Sequence, residues 1–207
     1  MRRVLRVLGS AVLAALAGGS GLLAQVAPEG RGHAEPPIEA SFAYSLVRSN
    51  AGPGNCGCFF MNGGSSEVAF HAYRDVSAVV DVTGEHAGAI NSTGEELSLL
   101  TFTAGPRISY PIRGPYFTRY IPFAQALLGT AHGFGSSFPD SAGTVKPSAN
   151  SLAFLVGGGL DARMTRRLDF RIFQVDYGYT ALPNNAGNQE NLLRVSTGIV
   201  LRFRQRR

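Results

Sequence analysis

The chain has few cysteines and few long apolar runs. Among its 207 residues only Cys56 and Cys58 are cysteines, and Lys146 is the only lysine. Two cysteines allow at most one disulfide, which excludes a small disulfide-stapled scaffold. After residue 24 no apolar run reaches the ~18 residues of a membrane-spanning helix. The sequence is instead dense in Gly, Thr, Ser, Tyr and Phe, a composition typical of strands and turns.

The N-terminus predicts a secretory signal peptide. Arg2, Arg3 and Arg6 precede an apolar run over residues 7–24, and small residues lie at the end of that run. A transmembrane anchor is the alternative, but glycine and serine interrupt the run. We therefore predict a signal peptide over residues 1–24, with cleavage between 24 and 27. A short N-terminal segment over 25–37 follows it.

The formal net charge of +5 does not indicate a nucleic-acid-binding protein. Removing the three arginines of the predicted signal peptide from the 19 basic residues leaves 16, against 14 acidic ones. This near balance lacks the basic excess that binds a polyanion. We expect no nucleic-acid partner, and the roughly 180 remaining residues suit one domain with a sizeable core.

Alternation of apolar and polar residues with period two predicts eight β-strands between residues 38 and 203. The pattern is clearest in the last strand, where Leu193 and Ile199 share an apolar face and Arg194 lies on the other. Near Phe173 the phase slips by one residue, which predicts a β-bulge at that point.

The connections between these strands alternate between short turns and longer segments. The longer segments are rich in Gly, Asn, Ser and Pro and lie near residues 49–66, 86–95, 134–150 and 183–190. The pattern predicts an all-β fold, an eight-stranded antiparallel up-and-down β-barrel with short turns at one end and long loops at the other. Closure of the barrel removes unpaired strand edges.

Alternation alone leaves open whether the apolar face points inward, as in a soluble ligand-carrying barrel, or outward into a membrane. The polar face carries six acidic and six basic side chains, a balance that suits a paired, desolvated interior. Tyrosine and phenylalanine near strand ends suit the aromatic girdles of a transmembrane barrel. We therefore predict an interior charge network of Glu39, Asp81, Glu85, Arg107, Arg119, Asp161, Arg163, Asp169, Arg171, Asp176, Arg194 and Arg202.

Four motifs carry a resemblance to a known family. They are CGCFFMNGG at 56–64, GGGLD at 157–161, QVDY at 174–177 and RVSTGIVLRF at 194–203. With them the chain resembles the eight-stranded outer-membrane β-barrel proteins of the OmpA-like transmembrane type, in particular a largely uncharacterised bacterial subgroup. The resemblance implies a transmembrane β-barrel over residues 38–203 in the outer membrane of a Gram-negative-type bacterium. It implies no established activity and no catalytic residues.

The resemblance also indicates partners. The last strand ends in Phe203 and is similar to the terminal signal that the outer-membrane assembly machinery reads, although a basic tail over 204–207 follows it. Expected partners are therefore outer-membrane lipids and that machinery, and we expect a monomer. Loops on a rigid scaffold often carry function, which favours a structural or surface-interaction role.

An outer-membrane enzyme acting on lipid A is one alternative to that role. It would need a nucleophile, a base and an orienting carboxylate close together. Residues of these types near the loops are His86, His132, Ser92, Ser136, Ser137, Glu85 and Glu95. Because the sequence contains no Gly-x-Ser-x-Gly nucleophile elbow, we predict no catalytic residue, no cofactor and no metal site.

A narrow pore is the other alternative. Eight strands enclose an interior just wide enough for side chains. Twelve charged side chains on the inner face would fill much of that space, so we predict a largely plugged polar interior.

The two cysteines are predicted to lie in the first long loop. Two thiolates alone leave a tetrahedral zinc half-coordinated, and redox enzymes use Cys-x-x-Cys rather than Cys-x-Cys. Export through an oxidising compartment favours a disulfide between Cys56 and Cys58, with paired free thiols as the alternative.

Overall fold

A computed structural model describes residues 38–50, 58–90, 95–112, 120–139, 144–183 and 189–203. The predicted signal peptide, the segment over 25–37 and the basic tail over 204–207 lie outside these ranges. No helix among the described residues is long and apolar enough to cross a membrane.

Eight antiparallel strands form one closed ring in chain order, which confirms the predicted up-and-down barrel. The ring closes between the first and last strands, where Ile38 pairs with Phe203. The strands are β1 (Ile38–Asn50), β2 (Cys58–Tyr73), β3 (Val76–Ile90), β4 (Glu95–Ser109), β5 (Tyr120–Pro139), β6 (Val145–Arg163), β7 (Leu168–Thr180) and β8 (Glu190–Phe203).

The apolar face points outward, as the sequence predicts. In β8 the side chains of Leu193, Val195 and Ile199 are exposed, whereas Arg194 and Arg202 are buried. Successive side chains of a strand point to opposite sides, so a strand in a closed barrel alternates between the interior and the exterior. The exterior consequently carries most of the large apolar side chains of the strands.

The predicted bulge in β7 is confirmed. The register between β7 and β8 shifts between Arg171 and Gln174. Ile172 and Phe173 are both exposed, and Gln174 is buried again. The extra outward residue returns the polar side chains of the strand to the interior.

The long connections are shorter than the sequence predicts, because most of their residues belong to strands. Residues 58–64 of CGCFFMNGG, expected in a loop, form the start of β2 and pair with β1. Most of the predicted loop over 134–150 likewise extends β5 and β6. Pairing with a neighbouring strand satisfies the backbone of these Gly, Ser and Asn residues, and this outweighs their low intrinsic strand preference.

The barrel has two unlike ends. At the short-turn end a two-residue turn joins β2 to β3, and a four-residue turn joins β6 to β7. At the opposite end, called the loop end here, the wall is uneven: β5 has 20 residues and β6 has 19, whereas β1 and β7 have 13 each. The β5–β6 side of the wall therefore extends further than the β7–β1 side.

Candidate functional site

Glu67 on β2 is the centre of a buried ion-pair network inside the barrel. Its Oε2 atom accepts hydrogen bonds from Ser41 at 2.9 Å, from Arg107 at 2.6 Å and from Arg171 at 2.5 Å. Its Oε1 atom accepts one from Gln174 at 3.2 Å. The carboxylate is thus fully coordinated by partners from β1, β4 and β7, which compensates for its removal from water.

The two arginines that bind Glu67 also contact the same aromatic ring, and each has further polar partners. Arg171 donates to both oxygens of Asp161, at 2.9 and 3.2 Å. The guanidinium groups of Arg107 and Arg171 lie 4.5 and 4.6 Å from the centroid of the Phe123 ring. Arg107 also donates to Gln125. Two carboxylates and two guanidinium groups therefore neutralise one another in this part of the interior.

Arg194 is the centre of a second buried group, made by β3, β7 and β8. It donates to Asp176 Oδ2 at 3.1 and 2.8 Å, to Asp81 Oδ1 at 3.3 Å and to Thr83 at 2.5 Å. Glu85 is also buried on this side and accepts a single long hydrogen bond of 3.5 Å from Ser45. One guanidinium group therefore faces three carboxyl groups.

This second group is short of positive charge. The Oδ2 atom of Asp81 has no hydrogen-bond partner among the described residues. A buried carboxylate oxygen without a hydrogen-bond partner is costly. The region around Arg194 is therefore less completely satisfied than the region around Glu67.

Most predicted members of the interior network are buried. They are Asp81, Glu85, Arg107, Asp161, Asp169, Arg171, Asp176, Arg194 and Arg202. At the short-turn end Arg202 joins Glu39 at 2.9 Å and Asp169 at 3.3 Å, and Arg163, partly exposed, lies 3.8 Å from Asp169. Arg119, the remaining predicted member, lies outside the described residues.

Glu67, the hub of the network, was not predicted from the sequence. Glu67 lies in the stretch EVAFHAYR, whose alternation is too short to fix a phase. Glu67 lies two residues from both Ser65 and Ala69, which also face inward, and this spacing was the available signal that Glu67 does so. Gln174 is the first residue of the QVDY motif, but its place beside Glu67 was not predicted.

The interior is not polar throughout, which corrects the expectation of a polar plug. A group of buried apolar side chains, called the apolar cluster here, shares the lumen with the ion pairs. Leu127 and Leu182 are fully buried within it. Its large members are Val47, Phe59, Met61, Val79, Leu97, Leu99, Leu127, Phe138, Leu155, Leu182 and Leu192. Close-packed apolar side chains exclude water, and this cluster occupies the lumen together with the ion pairs.

The histidines proposed for the enzyme alternative lie on the outer face, where side chains are exposed. The Nδ1 atom of His86 lies 3.0 Å from Ser98 Oγ, and that of His132 lies 2.7 Å from Asn150 Oδ1. Glu85 faces the interior and cannot orient the ring of its neighbour His86, because adjacent strand residues point to opposite sides. The pair of His86 with Ser98 was not predicted.

The other candidate residues are more dispersed. Ser136 and Ser137 lie in the extension of β5, and Ser92 lies outside the described residues. The described residues contain no group of three or more His, Cys, Asp or Glu that could hold a metal ion.

Cys58 is the first residue of β2 and is exposed, opposite Asn50 of β1. Its proposed partner Cys56 lies outside the described residues. The disulfide stays a prediction, and the mass of the protein after thiol blocking without reduction tests it: two added blocking groups would contradict the disulfide.

No protein-family model matches the chain, and no curated protein matches its sequence. Solved structures do match its fold. Neisserial surface protein A is 16% identical, with a TM-score of 0.60, over 83% of this chain and 100% of that chain. Ail, the attachment invasion locus protein of Yersinia pestis, is 17% identical, with a TM-score of 0.54, over 82% of this chain and 100% of that chain. The chain therefore has the fold of the eight-stranded outer-membrane β-barrel proteins.

Proposed function

We propose that the chain is an exported bacterial protein that spans the outer membrane as a monomeric barrel, with its loop end outside the cell. The apolar exterior, the predicted signal peptide and the shared fold support this location. About 9–11 residues suffice for a strand to cross a bilayer. The 20 residues of β5 therefore leave several residues that extend beyond the membrane at the loop end.

Outer-membrane lipids would surround the barrel, and the assembly machinery would read the strand that ends at Phe203. Cells that express the chain with or without residues 1–24 provide the test. The full chain should fractionate with the outer membrane and run as a heat-modifiable band on gels. The same distribution for the shortened chain would contradict export by a signal peptide.

We infer that the barrel acts as a scaffold for surface interaction rather than as a channel. The observation that supports this inference is the set of buried ion pairs and buried apolar side chains inside the barrel. Glu67 and its arginines close one part of the lumen, and the apolar cluster closes another. A path for water would require both groups to rearrange together.

The filled interior predicts that the barrel does not conduct ions. Purified protein in a planar lipid bilayer should produce no conductance steps, because the ion pairs around Glu67 and the apolar cluster would block a continuous row of water molecules. Heat-modifiable mobility of the same preparation serves as the control, since it shows that the silent protein is folded. Stable, reproducible steps from folded protein would contradict the scaffold role and favour the narrow pore.

The charge of the loop end suggests which partners it recognises. Its described basic residues are Arg48 and Lys146, and Glu96 and Glu190 lie at the same end. The structure of Ail was determined in complex with a heparin analogue, sucrose octasulfate. The two described basic residues of this loop end are matched by the two described acidic ones, Glu96 and Glu190, so we propose a neutral partner, either a glycan or a protein surface.

Nanodiscs that contain the barrel can be applied to arrays of glycans and envelope proteins. Binding should persist in added salt and should not be displaced by heparin, because the proposed contacts are uncharged. Removal of the β5–β6 extension, residues 135–149, should abolish it. Failure to bind any neutral ligand would count against surface interaction and leave a structural role.

An enzyme acting on lipid A is the second candidate. The contact of 3.0 Å between His86 and Ser98 favours it, because a hydroxyl beside an imidazole is the minimal arrangement for acyl transfer. The mass of lipid A from cells that express the protein decides the question. A mass shift that disappears in His86→Ala would support the enzyme, and an unchanged mass would exclude this reaction.

A further inference from the structure

The short-turn end carries a group of arginines that the interior network does not use. Arg74 lies in the turn between β2 and β3, Arg166 and Arg167 lie in the turn between β6 and β7, and all three are exposed. These three residues are called the arginine collar here. Among the described residues no ion pair involves any of them, so their charges are directed outward.

The backbone that carries the collar is fixed. Arg74 has a φ of 51°, and the commonest two-residue hairpin turns have a positive φ at this first turn position. In the other turn, Thr165 Oγ1 accepts hydrogen bonds from the backbone N–H groups of Arg167 and Leu168, at 3.2 and 3.0 Å. The carbonyl of Arg167 accepts a further bond of 2.9 Å from the N–H of Arg202 on β8. The arginines are thus held at defined positions on the rim.

Apolar side chains alternate with the collar at the same level. The side chains of Tyr73, Tyr110 and Met164 are 43%, 68% and 67% exposed. The guanidinium group of Arg74 lies 5.1 Å from the centroid of the Tyr73 ring, which continues the apolar exterior of β2. Arginine mixed with exposed tyrosine at the edge of an apolar band is typical of the interface between lipid tails and headgroups.

The acidic residues of the same end do not neutralise the collar. Asp169 is buried beside Arg202, and Glu39 is bonded to Arg202. Asp75, the neighbour of Arg74 in its turn, is the exposed carboxylate nearest in sequence. Three exposed arginines therefore stand against one exposed carboxylate in these two turns, in contrast to the mixed charges of the loop end.

We propose that the arginine collar binds the anionic headgroups of glycerophospholipids in the leaflet at the short-turn end. A planar guanidinium group holds a phosphate with two parallel hydrogen bonds, and the tyrosines place it at headgroup depth. The proposal rests on the membrane-spanning barrel proposed above. Each arginine near an anionic surface should contribute roughly a fivefold gain in binding.

Native mass spectrometry of the folded barrel in detergent micelles tests this. Phosphatidylglycerol and phosphatidylcholine with identical acyl chains are added in separate experiments. The wild type should retain phosphatidylglycerol preferentially. The triple variant Arg74→Ser, Arg166→Ser, Arg167→Ser should weaken that binding by roughly a hundredfold, whereas Arg48→Ser at the loop end should leave it unchanged.

Three results would overturn the proposal. They are equal retention of the two lipids, an equal loss in the Arg48→Ser control, and complete competition by soluble glycerol phosphate, which would indicate a phosphate site rather than a lipid surface. If the triple variant does not fold, Arg166→Gln should still weaken binding roughly fivefold, and unchanged binding would also overturn it. Heat-modifiable mobility keeps a failure of the collar distinct from a failure of the barrel.

Discussion

Replacement of Glu67 by alanine should lower the free energy of unfolding by about 3–5 kcal/mol, the usual effect of removing one partner from a buried ion pair. Arg107 and Arg171 would then lose the carboxylate that binds them at 2.6 and 2.5 Å. The remaining carboxylate near them, Asp161, already receives two hydrogen bonds from Arg171. The temperature at which the folded band disappears in detergent, or a urea titration, measures the change.

Two further variants make this result specific to the buried charge. Glu67→Gln keeps the size and part of the hydrogen bonding, so it should be less destabilising than Glu67→Ala. Glu96→Ala removes an exposed carboxylate from β4, and its effect should stay within about 0.5 kcal/mol. A Glu67→Ala protein as stable as the Glu96→Ala control would show that the network contributes no net stability.

Gly63→Val should prevent normal pairing of β2 with β3 and cost about 3 kcal/mol of stability. A Cβ atom at Gly63 would lie 1.9 Å from the carbonyl oxygen of Gly84 and 2.8 Å from Glu85 Cα. Both are backbone atoms of the neighbouring strand, so no side-chain rotation relieves the contact. Refolding yield and heat-modifiable mobility measure the loss.

Gly88→Val is the matched control for this substitution. Gly88 lies in β3, and a Cβ atom there would meet nothing within 4 Å. Because valine favours strands, this variant should fold normally. Equal yields from the two variants would contradict this prediction, because they would mean that β2 and β3 can move apart at Gly63 without loss of stability.

The fold was predictable because a closed barrel imposes the same two environments on every strand. Arg194 and its apolar neighbours on β8 show the resulting alternation directly, and even the bulge near Phe173 left a readable slip of phase. The ends of the strands were less predictable. Gly63 and Gly64 have the composition of a loop, and their pairing with β1 on one side and β3 on the other makes them part of a strand.

Most charged residues of the interior were predictable, whereas the apolar ones were not. Phe59 is buried and Phe60 is exposed, yet the two are chemically alike, so alternation carries no signal in this stretch. The apolar cluster was for this reason not predicted from the sequence. The partners of Glu67 could be recognised only once the ring brought β2 and β7 together, since its shortest hydrogen bond comes from Arg171, 104 residues away.

That long separation has a consequence for biogenesis. Ser41 on β1, Arg107 on β4 and Arg171 on β7 are separated from Glu67 by 26, 40 and 104 residues in the sequence. No hairpin contains a complete set of them, so a barrel inserted one hairpin at a time would carry an uncompensated charge through the hydrocarbon. Contacts of such long range also slow folding. We therefore expect β7 and β8 to pair with the rest of the barrel before β1 and β2 have fully inserted into the membrane. Insertion would then be a single cooperative step.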